Sequence, residues 1–374
     1  MKKIIISLRN INPKSGLGKI ALSHAQHFAQ IGQKVTFVTT RCFPFEHSHI
    51  TCHKIPKLGW LGDSISRRWF AYFTKNLTNR PGIFHIGHGD TFQQDLLFIH
   101  NLNETAYRFI EGREMNPLVP LAKLRREIIC KGNYKYLIAN SYLMKHYLIK
   151  DYGLQENKIK VLYPGYDPNQ FFPDTSGHLR QTARAKLNIQ PSTILLGFIT
   201  SGNFHKRGLD LLLEALLHIE RKNCLHDNLK LLIVGRDKNK TKWLEKVVGS
   251  KLANCLIFHE PQISVENFYH AVDLMIHPAR FEEFGMVVAE AMACGSPVLT
   301  SNNVGASELI KEKDLLIDKP TPKKLSDAIM HLLHNPSLLK HLRTTVPQNV
   351  YCCRWKNHLN NLDQLINETI AIEK

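Results

Sequence analysis

Apolar positions along the chain fall into short runs parted by turn formers, and the runs alternate between two periods. Residues 3–8, built around Ile4, Ile5 and Ile6, are almost wholly apolar, as a strand buried on both faces requires. Residues 10–18 are rich in turn formers, residues 19–31 show the spacing of an amphipathic helix, and Gly32 fits its C-cap. Residues 35–40 read as the next strand. Strand, glycine-bearing loop, helix and strand open a parallel α/β unit. The same order returns later. Residues 194–200 read as a strand, 201–208 as a turn, 209–220 as an amphipathic helix, and 229–234 as a strand closed by Gly235. Short strands are expected at 256–258 and 274–277, and a terminal helix at 353–374. The run Tyr163-Pro164-Gly165-Tyr166-Asp167-Pro168, with Pro173 soon after, marks the link between two α/β halves.

Composition agrees with two domains. The chain has 374 residues, 43% of them hydrophobic, enough for two separate cores. No apolar run approaches the ~18 residues of a membrane span. The isoleucine run is too short for the core of a signal peptide. Eight cysteines occur without a Cys-x-x-Cys pair, and Cys352 and Cys353 are adjacent. Reduced thiols in a cytoplasmic setting are therefore expected. The net charge is +17 and uneven. Residues 1–170 hold 24 Lys and Arg against 11 Asp and Glu, whereas residues 171–374 hold 25 against 21. An anionic partner for the first half is expected, a membrane surface or a phosphorylated acceptor. Nucleic acid is disfavoured because no binding motif for it occurs.

The segment with the most chemistry is Arg280-Phe281-Glu282-Glu283-Phe284-Gly285-Met286-Val287-Val288-Ala289-Glu290-Ala291-Met292-Ala293-Cys294-Gly295. An apolar helix pattern begins after Gly285, with Glu282 just outside it and Glu290 inside its first turns. Ionised carboxylates accept strong hydrogen bonds from sugar hydroxyls. Free N–H groups at a helix start can hold phosphate. A lone acid there usually does no more than complement the helix dipole; the spacing and flanks argue for more. Glu-x-Phe-Gly-x-x-x-x-Glu-Ala-Met-Ala-x-Gly-x-Pro-Val resembles the signature of the retaining family 4 glycosyltransferases, which have the GT-B fold. That family usually has glycine where this chain has Glu283.

Other segments add to the resemblance. Leu137-Ile138-Ala139-Asn140-Ser141 and Ile159-Lys160-Val161-Leu162-Tyr163-Pro164 are similar to the last strands and hinge of the family's first domain. His205-Lys206-Arg207-Gly208 stands where the family shows basic residues, and two cations at the positive end of a helix imply an anion nearby. His100 follows the apolar run ending in Ile99, and strand C-termini bind ligands in open α/β sheets; it matches the family's strand-end histidine, with His85 and His88 as rivals. Gly16-Leu17-Gly18-Lys19-Ile20-Ala21 lies between strand and helix and suits phosphate. It also fits Gly-x-Gly-x-x-Ala, so an NADP-dependent oxidoreductase is the alternative, with Arg41 for a 2′-phosphate. It is not a P-loop, since Ile20 follows Lys19 and Pro13 takes the first glycine position. No Asp-x-Asp and no metal-ligand spacing occurs, so a metal-independent site is expected.

The resemblance implies two Rossmann-like domains facing a cleft, at 1–168 and 169–352, with a C-terminal helix over 353–374 returning to the first. It implies His100, Lys206, Arg207 and Glu282 as catalytic residues. Gly16, Gly18, Gly285, Met286, Val287 and Glu290 would hold the donor, with Glu290 on the ribose. The donor is a nucleoside-diphosphate sugar, UDP-glucose being expected and GDP-mannose the alternative. The acceptor is an anionic membrane glycoconjugate, with His277-Pro278-Ala279 and the basic first half pointing to lipopolysaccharide core. Residues 54–80 mix aromatics with cations, which suits either a membrane interface or a core with a solvated far side.

Overall fold

The structure, a computed structural model, describes all residues except 1–2, 14, 43–44, 46, 58–61, 79–80, 239, 263 and 372–374. The chain forms two compact units, Met1–Gly165 with Lys356–Lys374, and Tyr166–Trp355.

Unit 1 opens with β1 (Lys3–Ser7), α1 (Gly16–Gln30), β2 (Val35–Thr39), β3 (Ile50–Lys54), α2 (Asp63–Thr78), β4 (Ile83–Gly87) and β5 (Leu96–Phe98). It continues through α3 (Asn103–Glu111), α4 (Pro120–Lys131), β6 (Tyr136–Ala139), α5 (Tyr142–Tyr152) and β7 (Ile159–Val161). Its seven strands run parallel in the order β3-β2-β1-β4-β5-β6-β7. Buried on both faces, the strands need continuous apolar runs, which is why Ile4, Ile5 and Ile6 read as they do.

Unit 2 holds α6 (His178–Lys186), β8 (Ile194–Gly202), α7 (Leu209–Arg221), β9 (Leu229–Arg236), α8 (Lys240–Glu245), β10 (Leu256–His259), α9 (Glu266–Ala271) and β11 (Leu274–His277). Then come α10 (Met286–Ala293), β12 (Val298–Ser301), β13 (Leu316–Ile317), α11 (Pro322–Leu333) and α12 (Pro336–Asn349). Its six strands are parallel too, in the order β10-β9-β8-β11-β12-β13. The last helix, α13 (Trp355–Ala371), sends Leu362, Leu365 and Ile366 into the unit 1 core beside Ile4, Phe28 and Phe37.

In each sheet the strand order reverses once, between β1 and β4 and between β8 and β11. Open parallel sheets bind ligands at the carboxyl ends of such strands. The residues that follow β1, β4, β8 and β11 are therefore the ones to inspect.

Two expectations change, and one open alternative narrows. Helix α1 begins at Gly16, not residue 19, because Ser15 is its N-cap and accepts from the Gly18 N–H at 3.0 Å. Gly16 and Gly18 thus sit in a first helical turn rather than a loop. A Cβ on Gly18 would lie 1.9 Å from the Asn12 carbonyl oxygen, so this glycine serves close backbone packing. Second, not all eight thiols are free. Cys42, three residues past the end of β2, and Cys52, in β3, form a disulfide with their Cα atoms 5.9 Å apart. Third, the aromatics of residues 54–80 are mostly core. Phe70 is buried with Ile5, Val38 and Ile55, Trp69 and Phe73 pack against them, and Tyr72 is exposed. Trp60 and Arg80 lie outside the described residues.

Candidate active site

In unit 2 the turn after β8 carries Asn203-Phe204-His205-Lys206-Arg207-Gly208, and the loop after β11 carries residues 278–285. Backbone contact presses the two together. Gly208 adopts φ +79°, and a Cβ there would stand 2.3 Å from the Pro278 carbonyl oxygen, so only glycine fits. Arg280 fastens the loops. Its N–H donates to the Lys206 carbonyl at 3.0 Å, and its guanidinium donates to the His205 carbonyl at 2.6 Å. The same guanidinium grips both oxygens of Asp210 at 2.9 and 2.6 Å. Burial works against ionisation of Asp210, yet Arg280 and His205 hold its carboxyl below the usual carboxylate range.

Within this frame Glu282 is fixed from every side. Its N–H donates to the Asn303 carbonyl at 2.9 Å and its own carbonyl accepts from the Gly305 N–H at 3.0 Å. Arg207 Nη2 donates to Oε1 at 3.0 Å, and His277 Nε2 lies 2.7 Å from Oε2. Burial alone would raise the Glu282 pKa, but Arg207, the His277 hydrogen bond and Lys206 overcome it and hold the carboxyl well below the usual range. Glu282 is a fixed anion with both oxygens aimed at donors. Next to it Glu283 Oε2 lies 3.4 Å from Lys206 Nζ. Two adjacent cations of one loop therefore face two adjacent anions of the other.

Gly285 begins α10 with φ +93°, and a side chain there would meet Val304 Cγ1 at 2.7 Å. Having no side chain, it caps nothing. The first N–H groups of α10, those of Met286 and Val287, precede any intrahelical acceptor and face the loop end. Glu290 sits one turn further on, where Tyr269 Oη donates to it at 3.1 Å. Unit 2 thus brings Lys206, Arg207, Glu282, Gly285, Met286 and Val287 together beyond the carboxyl ends of β8 and β11, an arrangement able to hold an anion on its amides and cations and hydroxyls on its carboxylate.

Gly16, Gly18 and His100 lie in unit 1. His100 belongs to a stack. Its Nε2 is 3.1 Å from His88 Nδ1, while His24 Nε2 is 2.7 Å from His358 Nε2, with the His24 and His88 ring centroids 5.6 Å apart. Burial is the main cause that brings His100 down to about 3 and His358 to about 4, so both rings are neutral at neutral pH. His85 is structural: one ring nitrogen meets Ser7 Oγ at 2.7 Å and the other the Gln93 carbonyl at 2.8 Å. At the β1–β4 reversal stands a cluster that motif reading missed. Arg67 grips Asp90 at 2.7 and 2.9 Å, Arg125 Nη2 lies 3.4 Å from the same carboxylate, and Arg9 Nη2 lies 2.8 Å from Asp63. Among the described residues, Nε and Nη1 of the buried Arg9 have no hydrogen-bond partner. The signal was faint: single arginines far apart in sequence, joined only by the fold. Among the described residues no group of His, Cys, Asp and Glu is placed to hold a metal ion.

Two parallel-sheet Rossmann-like units define the GT-B fold, and solved glycosyltransferases share it. The chain superposes on WaaG, a glycosyltransferase involved in lipopolysaccharide biosynthesis, with TM-score 0.76 and 20% identity over 95% of this chain and 98% of that one. It matches Anabaena HepE, solved in complex with UDP-glucose, with TM-score 0.74 and 15% identity over 98% and 100% of the two chains. Residues 180–348 match the family described as Glycosyl transferases group 1. A curated relative, the D-inositol 3-phosphate glycosyltransferase of Rhodococcus jostii (strain RHA1), is 28% identical over 236 residues. That match takes in 60% of this chain and 51% of the relative, so the chain spans about half the length of such relatives.

Proposed function

We propose that the protein is a retaining glycosyltransferase that moves a hexose from a nucleoside-diphosphate sugar to an anionic acceptor. The observation that carries this reading is the Arg207–Glu282 pair, set beside the open amides of α10 inside the residues that match the group 1 family. The diphosphate lies on Lys206, Arg207 and the Met286 and Val287 N–H groups, which stabilise the charge that grows as the bond from sugar C1 to phosphate oxygen breaks. The acceptor oxygen bonds to C1 on the same face and gives up its proton to the departing phosphate oxygen. Glu282 holds sugar hydroxyls and Glu290 the ribose. No enzymic nucleophile is named and no metal is invoked.

The expected donor is UDP-glucose, a reading that HepE's bound ligand supports. For the acceptor, the 24 cations against 11 acids in residues 1–170 and the Arg9, Arg67 and Arg125 cluster favour a phosphorylated or otherwise anionic saccharide. WaaG's part in lipopolysaccharide biosynthesis and the phosphate in the Rhodococcus relative's name point the same way. We therefore infer a lipopolysaccharide-core type of acceptor, met at a membrane surface. Incubating the chain with UDP-, GDP- and ADP-sugars and following nucleoside-diphosphate release with and without a phosphorylated saccharide tests this. Release that needs such an acceptor and fails in Glu282→Gln supports the reading. No release from any donor overturns it.

A further inference from the structure

Cys352 and Cys353 lie in a single 3-10 turn, Tyr351–Cys353, just before the chain leaves unit 2. The backbone there is tied down. Cys353 N–H donates to the Val350 carbonyl at 2.9 Å, and the Cys353 carbonyl accepts from the Tyr166 N–H at 2.7 Å. Tyr166, the first residue of unit 2, in turn accepts from the Trp355 N–H at 3.1 Å. This frame sets the two sulfurs 3.8 Å apart, with Cys352 exposed and Cys353 fully buried. Among the described residues three free cysteines are exposed, Cys130, Cys224 and Cys352. Cys130 and Cys224 donate to carbonyls, of Tyr152 at 3.6 Å and of Lys222 at 3.3 Å, which favours the protonated thiol. Cys352 instead faces a second thiol, and its approach to the Asn349 carbonyl is longer, 3.9 Å. Lys311 is the cation whose charge reaches Cys352, and Glu308 the acid whose charge reaches Cys353. The Arg354 guanidinium rests 4.1 Å from the centre of the Tyr351 ring.

We propose that Cys352 is a modification site for a low-molecular-weight disulfide, with Cys353 as the donor that holds its thiolate. Once Cys352 ionises, Cys353 must donate the S–H of the pair. That hydrogen bond, nearby backbone N–H groups and Lys311 outweigh burial and bring Cys352 down to about 7, while the same contact and burial push Cys353 far up. The Cys352 thiolate attacks one sulfur of the reagent. A new S–S bond forms, the reagent's S–S bond breaks, and its other half leaves as a thiolate that takes a proton from water. Cys352 is thereby oxidised to a mixed disulfide, and half of the reagent is reduced to thiol. Cys353 does not displace the adduct. Its thiol stays protonated, and adjacent Cα atoms stand about 3.8 Å apart across a trans peptide, below the roughly 4.4–6.8 Å that a disulfide spans. The adduct therefore persists until a free thiol removes it.

The test incubates the full chain with oxidised glutathione across neutral and alkaline pH and follows it by intact mass and peptide mapping. One glutathione per chain is expected, on Cys352 and released by dithiothreitol. Its rate should level off above about pH 7 rather than about 8.5, where an ordinary thiol ionises. At pH 7 the larger thiolate fraction, set against its weaker nucleophilicity, should make folded Cys352 react about threefold faster than the same cysteine in the urea-unfolded chain. Cys353→Ala should lose that advantage and move the rate profile to higher pH. Cys353→Ser keeps a donor and should stay near wild type. A Cys353 that merely packs would leave the profile unmoved in both. Should Cys353→Ala fail to fold, the wild-type profile and the folded-to-unfolded ratio decide. Four results each overturn the proposal: preferred labelling of Cys130 or Cys224, a folded chain no faster than the unfolded one, an unmoved profile in folded Cys353→Ala, or a Cys352–Cys353 disulfide in place of the adduct.

Discussion

Glu282 shows how one side chain is made into a fixed anion. Arg207 and His277 take its two oxygens, and the pair of backbone hydrogen bonds to Asn303 and Gly305 stops it turning away. Glu282→Gln keeps the shape and loses the charge, and should lower kcat/KM by the equivalent of about 1.5–3 kcal/mol, the worth of a charged hydrogen bond. Steady-state kinetics on the folded variant checks this, and an unchanged kcat/KM removes Glu282 from the site. Because its carboxyl is held so far below the usual range, Glu282 stays ionised down to low pH, and an acid limb in the rate profile belongs to another group. Glu282, Lys206 and Arg207 were legible in sequence as parts of local motifs. His277 and Arg280 were not legible in the roles they hold. In the sequence His277 marks only the entry to the motif, with no sign that it would bond Glu282, and the partner that gives Arg280 its meaning, Asp210, is 70 residues away.

At the scale of elements, the site depends on two loops being pressed together and on α10 starting where it does. Arg280→Ala removes the bidentate grip on Asp210 and should cost about 1.5–3 kcal/mol of stability, read as a shifted urea midpoint with an unchanged slope. Gly285→Ala forces a side chain onto Val304 in a left-handed backbone, and should both lower the melting temperature and weaken nucleoside-diphosphate binding. In unit 1 the histidine stack ties α13 to α1. Facing it are His27, paired with Asp363 at 2.8 Å, and Arg125, whose charge further disfavours a protonated His100. Folded, His358 takes up a proton only near pH 4, and His85 and His100 only near 3, whereas unfolded they do so near 6.5. As pH falls below 6.5 the unfolded chain therefore binds protons that the folded chain does not, and stability drops. Above that pH it is fully present. Each ring contributes about 1.4 kcal/mol per pH unit across that window. Urea midpoints between pH 7 and pH 5 check the slope, and His358→Gln, which cannot titrate there, should show a shallower one. The helix starts themselves were only partly readable: apolar spacing located α1 and α7, but the capping Ser15 set the true start of α1, three residues before the apolar pattern begins.

For the whole molecule, the two-unit α/β order was written in the repeated strand–turn–helix pattern, because parallel strands buried on both faces leave continuous apolar runs. The strand orders, and so the two reversals, come from pairing between distant segments that no local pattern encodes. The net charge of +17, concentrated in residues 1–170, makes a further prediction. The chain should bind vesicles rich in anionic lipid more tightly than neutral ones, with affinity falling as salt rises from 50 to 300 mM on the scale set by a Debye length of roughly 10 Å at 0.1 M. Equal binding to both kinds of vesicle in a sedimentation assay would remove the membrane from the account. The central claim, that unit 2 is a site for a nucleoside-diphosphate sugar, is tested most directly by melting the full chain with saturating UDP, GDP, ADP or NADPH. The account predicts a raised melting temperature with a nucleoside diphosphate, lost in Lys206→Met/Arg207→Met, and none with NADPH. Stabilisation by NADPH and by none of the diphosphates would contradict it.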